Sequence, residues 1–317
     1  MKTGLSTDHM NSRLQASGLR GGTSMALAAM CCVQLGLAAS IGLTDQIGAA
    51  GVAWLRLFWA GLILIAITRP WRTAFKRSTL LTCVLLGIAT AGMTIMFMAA
   101  VTRLPLGTAS ALEFLGPLSV ATALGRGRAR LWALVAAAGV LALTEPWHGT
   151  TDPVGVLLAL GAAACWAGYI VLTQRAGDEV TGLHALGVSM PVAAIAATVT
   201  VGPFAIGHLD WQDLIISLGL ALLLPLIPFS LELLALRRLT SAAFGTLMSL
   251  EPAIALIIGT IILGQSPRTS ALIGIVLVVA AGIGAARTGR RPEGPGITSS
   301  DPREQEQEQA PIQPGPG

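Results

Sequence analysis

Apolar stretches of about twenty residues, separated by very short loops, recur about ten times along these 317 residues. Each is long enough to cross the ~30 Å hydrocarbon core of a bilayer as one α-helix, which needs ~20 residues. Lipid offers the backbone no hydrogen-bonding partners, so such segments fold as helices that satisfy their own peptide groups. The composition agrees: 53% of residues are hydrophobic, only 11% are charged and the mean hydropathy is +0.72. A soluble chain carries roughly a quarter charged residues, so the expected class is all-α integral membrane.

Spans are expected near residues 22–41, 47–67, 79–99, 104–124, 131–147, 153–173, 182–206, 212–235, 240–263 and 269–286. Pro105, Pro117 and Glu145 interrupt or bound the fourth and fifth. Residues 1–21 are polar and lack the apolar core of a removable signal peptide. Residues 288–317 contain RRPEGPG, EQEQEQ and PGPG, which bury too little apolar area to fold and read as a disordered tail. Cys31, Cys32, Cys83 and Cys165 lie inside apolar stretches with no metal-ligand spacing and read as small buried hydrophobes.

The basic residues set the orientation. With the N-terminus in the cytoplasm, 17 Lys and Arg fall on inside segments and only Arg103 and Arg268 on outside loops. Reversal would break the positive-inside bias nearly everywhere, so both termini are expected to be cytoplasmic. The net charge of +4 sits at helix ends rather than on one face, which argues against nucleic acid.

The two halves resemble one another weakly. Ala26, Leu27, Ala29, Cys32 and Asp45 recur 133 residues later as Ala159, Leu160, Ala162, Cys165 and Asp178. Arg103, Leu104, Leu112, Leu115 and Pro117 recur 135 residues later as Arg238, Leu239, Leu247, Leu250 and Pro252. Five spans per half is an odd number, so the second copy would enter the membrane from the other side. The expected architecture is ten transmembrane helices as two inverted five-helix repeats, residues 22–147 and 153–287. Transporters of this build place their binding site near midplane, where the copies meet.

Charges in hydrocarbon cost a few kcal/mol or more and need a reason. Arg56 (WLRLFW), Glu113 (ALEFLGP), Glu251 (SLEPA) and Glu232 (PFSLELL) all lie inside spans. Arg56 and Glu113 are each about nine residues from the outer ends of their spans, which at ~1.5 Å per residue puts them at one depth near the centre. They could be interhelical glue, with Glu232 snorkelling to the surface. The functional reading is a midplane site for a zwitterion. There Arg56 would meet a carboxylate through two parallel hydrogen bonds, and Glu would meet an ammonium or carry a coupling proton.

Other residues add less. Pro117, Pro252, Pro225 and Pro228 would free backbone carbonyls near the charged positions. Gln34 could bond a substrate or a neighbouring helix. Trp54, Trp59 and Trp166 are expected to line a cavity, and Trp71, Trp147 and Trp211 to anchor at the interfaces. No phosphate-binding loop, nucleophile elbow or HExxH is present, so neither ATP drive nor an intramembrane enzyme is favoured, and no cofactor or metal is implied.

The runs ALEFLGPLSVA (111–121), ALGAAACWAGYIVL with QRAG (159–177) and PFSLELLALRRLTSAAFGTLMSLEPAIA (228–255) resemble EamA-type members of the drug/metabolite transporter superfamily. The likeness is in particular to bacterial inner-membrane threonine/homoserine exporters, and it covers residues 22 to 287. It implies export of small metabolites through the cytoplasmic membrane against a proton gradient, with threonine- and homoserine-like amino acids the leading expectation. Arg56, Glu113, Glu232 and Glu251 occupy the family's motif positions. The chain departs at Gln265, in LGQ, where many relatives carry LGE. An exporter of other metabolites or amphiphilic drugs is the alternative, and a homodimer is left open.

Overall fold

The computed structural model describes residues 4–72, 75–124, 129–145, 151–179, 183–236, 238 and 241–288. All regular structure among them is helical: α1 (Gly4–Thr68), α2 (Arg77–Val101), α3 (Leu106–Glu113), α4 (Leu115–Leu124), α5 (Ala129–Thr144), α6 (Pro153–Glu179) and α7 (Leu183–Thr200). These are followed by α8 (Gly202–Ala205), α9 (Trp211–Ala221), α10 (Ile227–Leu236), α11 (Ser241–Met248), α12 (Glu251–Ile262) and α13 (Thr269–Thr288). Six stretches are long and apolar enough to cross a membrane: Arg20–Thr44, Ile47–Arg72, Arg77–Val101, Pro153–Thr173, Phe244–Ile262 and Thr269–Arg287. Shorter apolar helices run over Leu131–Thr144, Ala185–Thr200 and Trp211–Leu224. The tail expected over 288–317 lies outside the described residues apart from Thr288, as does Trp147.

α1 is two limbs joined at Gly48, whose φ of 75° and ψ of 159° are open only to glycine. The fold thus places the loop between the first two predicted spans at a single reversal residue. Where the other predicted spans break, proline sets the place. Proline lacks an N–H and its ring clashes with the carbonyl four residues earlier. Pro117 stands four residues after Glu113, where α3 ends, and Pro252 stands four after Met248, where α11 ends. Pro225 stands four after Ala221, the last residue of α9. A π-helical turn over Leu222–Leu226 follows, with Leu224 extended at φ −144° and ψ 104°. The fourth, eighth and ninth predicted spans are therefore each two helices rather than one.

The two breaks fall in the same register. α3 and α11 begin 135 residues apart and end 135 residues apart, the offset at which the sequence repeats. Packing follows suit: α2 lies against α6 while α9 and α10 lie against α1, and α5 lies against α13 while α1 lies against α7. Small residues allow the close approach, with Ala159 and Ala162 of α6 and Ala193 and Ala197 of α7 wholly buried. Many large aliphatic and aromatic side chains are exposed, as on Val199, Phe204, Ile261 and Val276, which suits an outer surface wetted by lipid. Trp71 and Trp211 are exposed at helix ends.

Candidate functional site

The breaks matter because of what stands at them. Glu113 is the last residue of α3 and Glu251 the first of α12, so each carboxylate is carried where a helix is interrupted. Arg56 comes from the second limb of α1 and Gln34 from the first. All four are withdrawn from the lipid face: relative exposure is 8% for Arg56 and Glu113, 7% for Glu251 and 1% for Gln34. Burial of three ionisable groups in one region of an apolar bundle is costly unless they meet one another or a cargo.

Their geometry is specific. Gln34 Nε2 donates to Glu251 Oε1 at 3.2 Å, tying α1 to α12. Glu113 lies within electrostatic range of both Glu251 and Arg56. Arg56 forms no ion pair among the described residues; its Nη1 is 4.0 Å from Met98 Sδ, a weak acceptor, and its Nε is buried without a hydrogen-bond acceptor. Gln34 Oε1 is buried without a donor. The Glu113 carboxylate likewise accepts no hydrogen bond among the described residues. A strong planar donor, an amide acceptor and the Glu113 carboxylate thus keep hydrogen-bonding capacity to spare in one buried region that also holds Glu251.

Trp166 of α6 supports this region from the side. Its ring meets that of Phe114, the residue at the first break, edge to face with centroids 6.5 Å apart. Glu232 lies on α10, and its side chain is outside the described residues. Trp54 and Trp59, expected to line a cavity, each fasten two helices together. Trp54 Nε1 donates to Thr198 Oγ1 at 2.8 Å and Trp59 Nε1 to Ser217 Oγ at 3.1 Å.

Two contacts with structural leverage escape a reading of the sequence. Gly282 of α13 lies against both breaks: a Cβ there would be 2.6 Å from Ser249 Oγ and 2.7 Å from Phe114 Cε1. One glycine among 37 carries no local sign of this. Gln265 accepts a hydrogen bond from the backbone N–H of Leu106 at 2.9 Å, satisfying an otherwise free donor at the start of α3. A glutamate at that position could accept the same bond.

Residues 153–286 match the EamA-like transporter family. Threonine/homoserine exporters named RhtA from Salmonella typhimurium and Escherichia coli are 39% and 38% identical over 270 residues, covering 84% of this chain and 91% of theirs. A probable terminal-alkyne amino-acid exporter of Streptantibioticus cattleyicolor is 28% identical over 179 residues, 55% of this chain and 51% of that one. A solved crystal structure shares the fold with a TM-score of 0.55 at 19% identity, covering 85% of this chain and 99% of the other.

Proposed function

The chain belongs to the EamA-like transporter family, and we propose that it exports small amino acids of the threonine and homoserine kind across the bacterial cytoplasmic membrane. One observation carries the reading: Arg56 is buried without an ion pair among the described residues, in the region that also holds Glu113, Glu251 and Gln34. A guanidinium presents a planar fork that fits a carboxylate with two parallel hydrogen bonds. The α-carboxylate of the cargo binds Arg56, its ammonium binds the glutamates and its hydroxyl reaches the Gln34 amide. A zwitterion adds no net charge to the region.

The coupling follows from counting charges in the same place. Two carboxyls face one guanidinium, so the region is neutral when one carboxyl holds a proton. Loading and release of that proton on Glu113 or Glu251 exchanges it for cargo, which is proton-coupled antiport. Ten spans in two inverted five-helix halves supply the motion, as one half rocks against the other. The shared 135-residue register of the two breaks supports this architecture, and the distribution of Lys and Arg supports cytoplasmic termini.

A hydrophobic-cation exporter would need the glutamates but not Arg56, so one experiment separates the readings. The full chain is reconstituted in liposomes with an imposed pH gradient and offered labelled L-threonine, L-homoserine and a lipophilic cationic dye. Gradient-dependent movement of the amino acids that disappears in Arg56→Gln supports the proposal. Movement of the dye alone, or undiminished amino-acid transport in Arg56→Gln, overturns it.

A further inference from the structure

A second charged region lies at one end of the bundle, away from the central residues. A cavity of about 210 Å³ opens between the α2–α3, α5–α6 and α12–α13 connections. Two ion pairs border it: Arg103 Nη1 to Asp152 Oδ2 at 3.0 Å, and Arg268 Nη1 to Glu145 Oε2 at 3.4 Å. Each pair joins one half of the chain to the other or to the link between them. Glu145 follows the last residue of α5 with a positive φ of 38°, a backbone conformation uncommon for a side-chain-bearing residue and worth a reason.

Stability does not supply that reason. Arg103 and Asp152 keep 48% and 33% of their side-chain surface, and Arg268 and Glu145 keep 63% and 15%. Water screens each pair from at least one side and weakens it, so the partners are exchangeable for those of a ligand. The cavity is also smaller than the ~300–1,000 Å³ typical of drug-sized ligands. Among the described residues its lining holds two cations and two anions, a balance that favours a small zwitterion over a net cation or anion.

Position connects it to the central residues. Thr108 of α3 and Leu256 of α12 line the cavity. Each stands five residues from an acid of the central region, Glu113 on α3 and Glu251 on α12. Five residues of helix rise by about 7.5 Å. α3 and α12 pack together, so one helix pair carries cavity wall at one end and the central carboxylates at the other. Gln265 meets the cavity as well, its carbonyl engaged by Leu106 and its NH₂ without a hydrogen-bond acceptor among the described residues.

We infer that this cavity is an exit subsite that takes the zwitterionic cargo as it leaves the central region, its carboxylate on Arg103 or Arg268 and its ammonium on Asp152 or Glu145. The inference rests on the amino-acid reading above. Cargo occupies the cavity by exchanging partners with the two ion pairs, and then passes to water.

Thr260 is exposed and lines the same cavity. In Thr260→Cys, a membrane-impermeant maleimide reports occupancy from outside the cell. Added L-threonine slows labelling by the factor 1 + [L]/Kd, about elevenfold at ten times Kd. That protection is expected to persist with Arg56→Gln, which disables the central region, and to vanish with Arg103→Gln and Glu145→Gln together. Thermal melting of each purified full-length variant checks that it is folded. Labelling unaffected by L-threonine, or protection that disappears with Arg56→Gln, overturns the subsite. Failure of wild-type liposomes to move L-threonine instead overturns the amino-acid reading, whatever the labelling shows.

Discussion

Gln34 and Glu251, 217 residues apart in sequence, are joined inside the bundle by a single hydrogen bond of 3.2 Å. The bond runs from an unbroken limb of α1 to the first residue of α12, so it fixes a carboxylate at the end of an interrupted helix. Removing the donor with Gln34→Leu is expected to destabilise the fold by about 1–3 kcal/mol, the cost of losing a partner to a buried charged group. The midpoint of chemical denaturation of the purified chain measures it. An unchanged midpoint would mean that Glu251 is held in place by other contacts.

Arg56→Gln and Glu113→Gln are each expected to insert and fold normally while transport falls by ~100-fold or more, the scale of losing precise positioning of bound cargo. Arg56→Lys keeps the charge but replaces a planar fork with a point charge, so it restores only part of the rate. Transport at saturating and at low L-threonine distinguishes lost binding from lost turnover. Wild-type rates in both Gln variants would show that these groups only hold helices together.

Gly282→Val places two methyl groups against both Phe114 and Ser249. Overpacking of this kind costs about 1–3 kcal/mol. A drop in melting temperature together with reduced transport is expected, whereas valine at Gly42, where a Cβ would meet nothing within 4 Å, has no comparable contact to disturb. Full stability and activity in Gly282→Val would show that α13 has room to move away from the breaks.

Gln265→Ala removes the acceptor that caps α3 and should cost ~1 kcal/mol, as for other lost N-terminal caps. Gln265→Glu keeps the acceptor and adds a negative charge at a helix N-terminus, which is favourable by about 0.3–1 kcal/mol. Denaturation midpoints should therefore rank Glu at or above Gln and both above Ala. The order Ala above Gln would remove the capping role.

The Arg103–Asp152 bridge should be indifferent to the proton gradient. The hydrogen bond from Arg103, and then that from the Val154 N–H, holds the Asp152 carboxyl below its ordinary value of 3.8. An acid shifted down contributes its full stabilisation above the unfolded value and loses it only as pH falls through the lower, folded one. Across about pH 5 to 8, well above the aspartate range, Asp152 stays ionised. Asp152→Asn is therefore expected to leave the shape of the transport–pH profile unchanged, even where the rate shifts. A changed shape would place the coupling proton at this mouth.

Much of the central region is legible in the sequence because charge in hydrocarbon is conspicuous. Arg56, Glu113 and Glu251 stand out from their apolar neighbours, and the fold brings them together with Gln34. The helix breaks are legible only in part. Prolines mark them, but a proline does not reveal whether its helix bends or stops; at Pro191 α7 continues, and before Pro117, Pro225 and Pro252 the helix ends. Gly282 and the Gln265 cap are invisible, since both depend on contacts between distant segments. The hydrogen bonds of Trp54 and Trp59 are not legible either, since a tryptophan in a span does not reveal which neighbouring helix its N–H will meet.

The matched interruptions have one more consequence. At the 135-residue offset the counterpart of Glu113 is Met248 and that of Glu251 is Gly116, so neither acid has a twin. The backbone duplicates its fracture while the chemistry alternates sides of it, one carboxyl just ahead of the gap and the other just past it. Swapping one half for the other would not reproduce the same arrangement of charge. Two side chains alone thereby give a pair of matched fractures a front and a back.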